Sequence, residues 1–204
     1  MSRPAPAEAR IGNVAGAVLL GGASSRMGRD KAHLAVGGVP GATRAARLLA
    51  TLFEEVLLVG GSPPEDAPGR RVSDGDGPAC ALRGLVAALA AASAPRVLVV
   101  ATDLPLLTPD LLLALVAWPE ADAVVPQTSH GPQPLCALYA RDAVLPAARA
   151  RLASGELALH GLLAAVATSQ LGPADLARLD PPGSALFNLN TPEDLAGLLL
   201  TKSY

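Results

Sequence analysis

Short apolar runs alternate along the chain with segments whose apolar residues have helical spacing. The clearest runs are residues 14–20, 55–59 and 96–101, and the clearest helical segments are residues 41–53 and 80–92. Short apolar runs bounded by turn residues are typical of buried strands. A strand, a helix and another strand form a crossover unit, which makes a parallel sheet with helices on both faces. The alternation therefore predicts an α/β fold.

The rest of the chain gives weaker signals. Thr108, as N-cap, and Pro109, as first helical residue, predict a helix that ends at about Ala117. Residues 1–12 are rich in Pro and Ala and are expected to form a flexible tail, followed by a single domain over residues 13–204. We further expect strands at residues 70–73, 123–125, 135–140 and 184–187, and helices at residues 142–153 and from Asn190 onwards.

Composition narrows the class of function. Half of the residues are apolar and 17% are charged, which excludes a disordered chain. A net charge of −2 and an aromatic content of 2% argue against a nucleic-acid partner. The longest uncharged stretch that includes a good apolar run, residues 157–174, is interrupted by polar residues and Pro173, so no membrane span is expected. Cys80 and Cys136 are far apart and unpatterned, which is typical of a reducing compartment and predicts the cytoplasm.

The first candidate site follows the first predicted strand, because ligands of an open parallel sheet bind beyond the carboxyl ends of its strands. The segment reads Gly21-Gly-Ala-Ser-Ser-Arg-Met-Gly-Arg-Asp-Lys31. Glycines let backbone N–H groups approach an anion, and Arg26 and Lys31 carry charge that would neutralise a polyphosphate. The spacing matches neither a Walker A loop nor G-x-G-x-x-G. A phosphate-binding loop and an ordinary glycine-rich turn both remain open.

Two further segments carry polar candidates. Asp103 follows the most apolar strand and suits Mg²⁺, which takes one or two carboxylates plus phosphate oxygens; alternatively, it caps the next turn. Asn188 and Asn190 share one side of an extended segment and suit metal or substrate binding. Capping of the last helix by Asn190 or Thr191 explains that segment equally well. The histidines have no zinc-site spacing and are interpreted as structural or surface residues.

The segment Leu20–Lys31, with Leu19 before it, resembles the L-x-G-G-x-S-x-R-M-G-x-D-K signature of molybdenum cofactor guanylyltransferases. Three further motifs occur in that family's order and spacing: Asp74 followed by Gly77-Pro78, Asp103-Leu-Pro105, and Asn188-x-Asn190-Thr-Pro-Glu-Asp-Leu195. The similarity spans about residues 14 to 200. Related cytidylyltransferases and sugar-nucleotide pyrophosphorylases usually carry Ala-Ala-Gly or Ala-Gly-Gly, so Gly-Gly together with Asp30-Lys31 favours the guanylyl branch.

The resemblance implies a Rossmann-like nucleotidyltransferase fold, three-layer α/β/α with a mostly parallel central sheet. It implies transfer of GMP from GTP to the terminal phosphate of molybdenum–molybdopterin with release of pyrophosphate, Mg²⁺ as cofactor, and GTP and molybdopterin as partners. It also allows transient contact with molybdoenzymes or cofactor chaperones. Carried over to this chain, it assigns the nucleotide to Leu19, Leu20, Gly21, Gly22 and Asp74, phosphate contacts and catalysis to Arg26 and Lys31, Mg²⁺ and catalysis to Asp103, and the second substrate or the metal to Asn188 and Asn190.

Two segments depart from the family's pattern. The chain has Val59-Gly60 where the family often has an asparagine, and it reads Glu156-Leu-Ala-Leu-His160 where the family usually has Arg or Lys. Two alternatives remain open. The first is a cytidylyltransferase acting on molybdopterin or another small phosphorylated acceptor. The second is a non-catalytic molybdopterin carrier, which the missing basic residues near 156–160 keep open. A nicotinamide-dependent dehydrogenase has the same fold class, but its glycines have a different spacing.

Overall fold

The computed structural model describes residues 9–20, 35–76, 80–189 and 194. The strands are β1 (Ile11–Leu19), β2 (Ala35–Val36), β3 (Val39–Pro40), β4 (Phe53–Val59), β5 (Arg70–Val72), β6 (Arg96–Ala101), β7 (Ala123–Thr128), β8 (Gly131–Pro132), β9 (Cys136–Ala140) and β10 (Thr168–Leu171). The helices are α1 (Gly41–Leu52), α2 (Ala81–Ala91), α3 (Pro109–Ala117), α4 (Arg141–Ser154), α5 (Leu159–Ala165) and α6 (Pro173–Leu179).

The main sheet has the strand order β10-β7-β9-β6-β1-β4-β5, with β8 paired to β7. β1 lies parallel to both β4 and β6, and β4 lies parallel to β5. β9 runs antiparallel to its neighbours β6 and β7, so it is the reversed member of an otherwise parallel row. Leu19 pairs with Val59 and with Ala101, and Val59 pairs with Val72. These strand ends therefore line up along one edge of the sheet, which we name the carboxyl edge.

Helices cover both faces of the sheet, which confirms the predicted three-layer α/β/α arrangement. Val14 and Val18 of β1 pack in one core with residues of α1 and α3. Ala15, Ala17 and Leu19 pack in the other core with residues of α2, α4 and α5. Because successive side chains of a strand point to opposite faces, β1 contributes to both cores.

Gly16 in β1 allows α1 to lie unusually close to the sheet. A Cβ built on Gly16 would lie 3.0 Å from Cβ of Leu49 and 3.0 Å from Cδ2 of Phe53. Both of those side chains are fully buried. The absence of a side chain at position 16 is therefore part of the packing of this layer.

Most predicted elements are confirmed. Thr108 accepts a hydrogen bond from the Leu111 N–H through its hydroxyl oxygen, and Pro109 is the first residue of α3. The strand predicted at residues 184–187 is wrong: the segment is a turn, in which the Phe187 N–H donates to the carbonyl of Ser184 and the Ala185 N–H donates to the carboxylate of Asp180. The sequence also missed α5, β10 and α6. The helix start predicted at Asn190 lies outside the described residues.

The edge opposite the carboxyl edge is held by long-range hydrogen bonds. The Trp118 indole N–H donates to Oγ of Ser169 at 3.0 Å and joins the end of α3 to β10. Glu55 accepts hydrogen bonds from Arg70 at 2.9 Å and from the N–H of Ser93 at 2.8 Å. Burial of the Glu55 carboxyl favours its neutral form, but the hydrogen bonds from Arg70 and Ser93 outweigh this, so the pKa of Glu55 lies below its ordinary value. Within the described ranges, no helix has the length and apolar content needed to cross a bilayer.

Candidate active site

Hydrogen bonds between neighbouring strands extend one residue past the strand ends at the carboxyl edge. The Leu20 N–H donates to the Val59 carbonyl at 2.9 Å, and the Gly60 N–H donates to the Val72 carbonyl at 2.9 Å. Leu19 and Leu20 are both buried, with exposed fractions of 4% and 3%. The backbone of these two residues is thereby held at the edge where the sequence predicts the nucleotide.

Asp74 lies at the same edge, just after β5, and packs against Gly60 at the end of β4. Gly60 has a φ of +72°. A Cβ built on Gly60 would lie 3.0 Å from both Cγ and Oδ2 of Asp74. The carboxyl group of Asp74, which is half-buried, therefore occupies the space above the glycine backbone. Sequence reasoning noted Gly60 only as a departure from the family's pattern and missed this contact.

A cavity of about 330 Å³ lies beside these residues. Its volume is at the small end of the roughly 300–1,000 Å³ that is typical of small-molecule sites. Its lining includes Gly60, Gly61, Ser62, Pro63, Arg71 and Asp74. The cavity brings the turn after β4 together with the turn after β5, and it opens at the carboxyl edge.

Asp103 is half-buried in the turn that follows β6, two strands away from β4 in the sheet. The Leu189 N–H donates to the carbonyl of Asp103 at 2.8 Å, which brings the segment containing Asn188 to the same place. Two of the predicted site motifs are thus joined through the backbone. Asn188 is half-buried beside this bond.

The donor set around Asp103 fits Mg²⁺ held largely by a nucleotide. Among the described residues, no three His, Cys, Asp or Glu side chains form a group that could hold a metal ion by themselves. Mg²⁺ keeps several waters and usually takes one or two protein carboxylates, with substrate phosphates completing its shell. Asp103, as the one carboxylate in the turn after β6, therefore fits a Mg²⁺ ion whose remaining ligands are phosphate oxygens and water.

Several predicted site residues fall outside the part of the chain that the structure describes. These are Gly21, Gly22, Arg26, Lys31 and Asn190. Their roles remain predictions from the sequence. Of the predicted site residues, the structure places Leu19, Leu20, Asp74, Asp103 and Asn188 at or next to the carboxyl edge.

Residues 156–160 contain no Arg or Lys, and sequence reasoning missed that a cation from the preceding helix lies beside them. Arg151, in the last turn of α4, forms an ion pair with Glu156 at 2.8 Å. Its guanidinium covers Gly161 of α5, where a Cβ would overlap the guanidinium group. The preceding helix therefore brings a guanidinium to this segment, where it is paired with Glu156. No local signal pointed to this contact, because sequence reasoning did not predict α5.

The layered parallel sheet, with glycine turns and separate acids collected at its carboxyl edge, is the architecture of a nucleotidyltransferase. Among solved structures, the chain is similar to molybdopterin-guanine dinucleotide biosynthesis protein A from Archaeoglobus fulgidus (TM-score 0.77, 22% identity, covering 92% of this chain and 99% of that one). It is also similar to 2-C-methyl-D-erythritol 4-phosphate cytidylyltransferase from Thermus thermophilus (TM-score 0.68, 18% identity, covering 92% and 98%). At these identities the likeness shows the fold.

The chain belongs to the family of MobA-like NTP transferase domains, whose model matches residues 16–171. A probable molybdenum cofactor guanylyltransferase from Chloroflexus aggregans is 38% identical over 191 residues, which cover 89% of this chain and 91% of that protein. A second protein of the same description, from Pelotomaculum thermopropionicum, is 34% identical over 186 residues, covering 88% and 89%. The resemblance inferred from the sequence motifs is confirmed, and the protein is an enzyme of the nucleotidyltransferase class.

Proposed function

We propose that this protein transfers GMP from GTP to the terminal phosphate of molybdenum–molybdopterin, forming the guanine dinucleotide cofactor and pyrophosphate. The observation that carries the proposal is the placement of Asp74 and Asp103 along one carboxyl edge, after strands of the same parallel set. Relatives described as molybdenum cofactor guanylyltransferases, up to 38% identical over most of the chain, supply the acceptor.

In this proposal, the Asp74 carboxylate recognises the base of the nucleotide by hydrogen bonding. An ionised carboxylate only accepts hydrogen bonds, and it has two oxygens in one plane. Guanine presents two adjacent donors, N1–H and the 2-amino group, which match that pair of oxygens. Cytosine presents a single amino donor beside an acceptor nitrogen, which would face a carboxylate oxygen unfavourably. The chemistry of Asp74 therefore favours GTP over CTP.

Asp103 holds Mg²⁺ in this proposal, and the ion supplies neutralising charge to the triphosphate when it is bound. The other contributions come from positioned groups of the protein. The backbone at Leu19 and Leu20 fixes the start of the nucleotide segment. Arg26 and Lys31 neutralise charge that moves to the leaving pyrophosphate. A phosphate oxygen of the acceptor attacks the α-phosphorus in line, so the rate depends on orientation and on charge complementarity.

Asn188 contributes to the second-substrate side in this proposal. Its segment is joined to Asp103 through the Leu189 hydrogen bond, and its side-chain amide offers both a donor and an acceptor. The amide suits a hydrogen-bonding acceptor such as molybdopterin.

The experiment uses the purified chain with Mg²⁺, molybdenum–molybdopterin and each of the four nucleoside triphosphates in competition. We expect pyrophosphate release and the guanine dinucleotide product with GTP. Preferential use of CTP would support a cytidylyltransferase instead. Binding of molybdopterin without pyrophosphate release from any nucleotide would support a carrier. A cytoplasmic location and contacts with molybdoenzymes or cofactor chaperones stay predictions.

A further inference from the structure

Gly60 and Asp74 are in such close contact that a side chain at position 60 would require the Asp74 carboxylate to shift. A Cβ on Gly60 would lie 3.0 Å from Cγ, 3.0 Å from Oδ2 and 3.2 Å from Oδ1 of Asp74. Since the Gly60 N–H is also bonded to the carbonyl of Val72, the backbone of Gly60 is tied to the end of β5. The Asp74 side chain therefore packs on Gly60, and the backbone of Gly60 is hydrogen-bonded to the strand that precedes Asp74.

Gly61 lies against Leu20 on the opposite side of the same turn. Its φ is +49°, and a Cβ on it would lie 3.2 Å from Cβ and 3.5 Å from the carbonyl oxygen of Leu20. The consecutive glycines thus let Leu20, at the end of β1, and Asp74, just after β5, both pack against the end of β4. The strand order places β4 between β1 and β5.

We infer that Gly60 is a positioning residue for base specificity. Its missing side chain sets where the Asp74 carboxylate lies, because a Cβ at position 60 would meet that carboxylate at 3.0 Å. This inference rests on the proposed function and deepens it, because it explains how the pocket selects guanine through a residue that makes no hydrogen bond to the base.

The competing explanation is that Gly60 is needed only for its left-handed backbone. A matched control separates the two. Gly38, in the turn between β2 and β3, has a φ of +78°, and a Cβ built on it meets none of the residues that the structure describes within 4 Å. Gly38→Ala therefore imposes the same kind of backbone strain as Gly60→Ala without a collision. Backbone strain lowers the stability of both variants, whereas only Gly60→Ala displaces Asp74.

The measurement is the ratio of the dissociation constants for GTP and ITP, obtained by calorimetry on folded protein, since ITP lacks only the 2-amino group. The wild type should prefer GTP, and Gly38→Ala should keep that preference. Gly60→Ala should reduce it, because the neighbouring carboxylate must give by a few tenths of an ångström. Gly60→Asn, whose side chain tolerates a positive φ and is larger, should reduce it by about 10-fold or more, as expected for a lost hydrogen bond to a charged group.

A double-mutant cycle tests whether Gly60 acts through Asp74. In an Asp74→Ala background, Gly60→Ala should leave the GTP-to-ITP ratio unchanged, because the carboxylate that it displaces is gone. The inference would be overturned if folded Gly60→Ala and Gly60→Asn retain the wild-type preference for GTP over ITP, or if Gly60→Asn raises that preference. It would also be overturned if the effects of substitutions at positions 60 and 74 on this preference are additive. Absence of GMP transfer in the wild type would refute the proposed function separately, since the binding ratio needs no acceptor.

Discussion

The N–H of Leu189 lies 2.8 Å from the carbonyl oxygen of Asp103, and this hydrogen bond joins the turn after β6 to the segment that carries Asn188. A backbone hydrogen bond therefore connects the segment of the proposed metal ligand with the segment of the proposed second-substrate residue. Asp74, in contrast, is held on the far side of β1 and β4. The carboxyl edge thus has a proposed base-reading side at Asp74 and a proposed acceptor side at Asp103, separated by β1 and β4.

Replacing Asp103 with Ala should reduce turnover by at least about a hundredfold, the scale of losing one key electrostatic group. The fold should survive because the side chain is only half-buried and lies in a turn. Lys31→Ala should have the same effect on turnover. Pyrophosphate release gives the rate, and a urea unfolding curve checks the fold. Asp110→Ala, which removes an exposed carboxylate from the first turn of α3, is the matched control. Near-normal turnover in both Asp103→Ala and Lys31→Ala would refute the assignment.

Replacing Asp74 with Asn should shift the base preference from GTP towards XTP. The amide of Asn carries a donor that would meet the 2-carbonyl of xanthine and would clash with the 2-amino group of guanine. We expect the ratio of kcat/KM for GTP over XTP to fall by about 10- to 100-fold, the range for a hydrogen bond to a charged group. Asp76→Asn makes the same change at an exposed position two residues away. Equal ratios in the Asp74 and Asp76 variants would argue against base reading by Asp74.

Elements with strong local signals were predictable from the sequence. β6 reads as an unbroken apolar run, and α3 begins at the Thr108–Pro109 pair, whose capping bond depends only on neighbours within three residues. The position of Asp103 at the carboxyl edge followed from the same reasoning, because an acid that follows a buried parallel strand lies at the carboxyl end of that strand. These features depend on short stretches of chain, so periodicity and capping rules capture them.

Elements that depend on distant partners were not predictable. β10 has the partly polar sequence TSQL and is a strand because it pairs with β7 at the edge of the sheet. The reversed direction of β9 follows from its place between β6 and β7, and no local pattern encodes direction. Residues 184–187 looked like a strand, yet the side chain of Asp180 holds Ala185 in a turn. Likewise, the contact of Gly60 with Asp74 exists because β4 pairs with β5.

Gly16→Ala and Gly84→Ala should change stability in opposite directions. At Gly16 the added methyl group would press on Leu49 and Phe53 at 3.0 Å, and overpacking of this kind costs about 1–3 kcal/mol. At Gly84, within α2, the methyl group would make ordinary contact with Leu19 at 3.4 Å, and Ala is favoured over Gly in a helix by about 1 kcal/mol. Urea unfolding gives both free energies. Unchanged stability in Gly16→Ala would contradict the packing described for α1, and a loss in Gly84→Ala would contradict the ordinary contact with Leu19.

Glu55 should make part of the protein's stability dependent on pH. Its pKa in the fold is below the ordinary value of 4.5, so its contribution is present above that pH and is lost as the pH falls through the lowered pKa. Glu55→Gln removes the charge from the contacts with Arg70 and Ser93 and should cost about 1 kcal/mol at pH 7, with a flatter profile in acid. Unfolding free energies between about pH 3 and pH 7 test this. Glu54→Gln, at an exposed position of the same strand, serves as the comparison, and an identical profile for the two variants would contradict a special role for Glu55.

The chain has a single tryptophan, Trp118, and its indole is bonded to Ser169 at the edge of the sheet farthest from the nucleotide. Intrinsic fluorescence therefore reports the docking of α3 on β10 and should follow global unfolding with one well-defined probe. The same emission should respond weakly to GTP, so titrations at the carboxyl edge need a fluorescent nucleotide analogue or calorimetry.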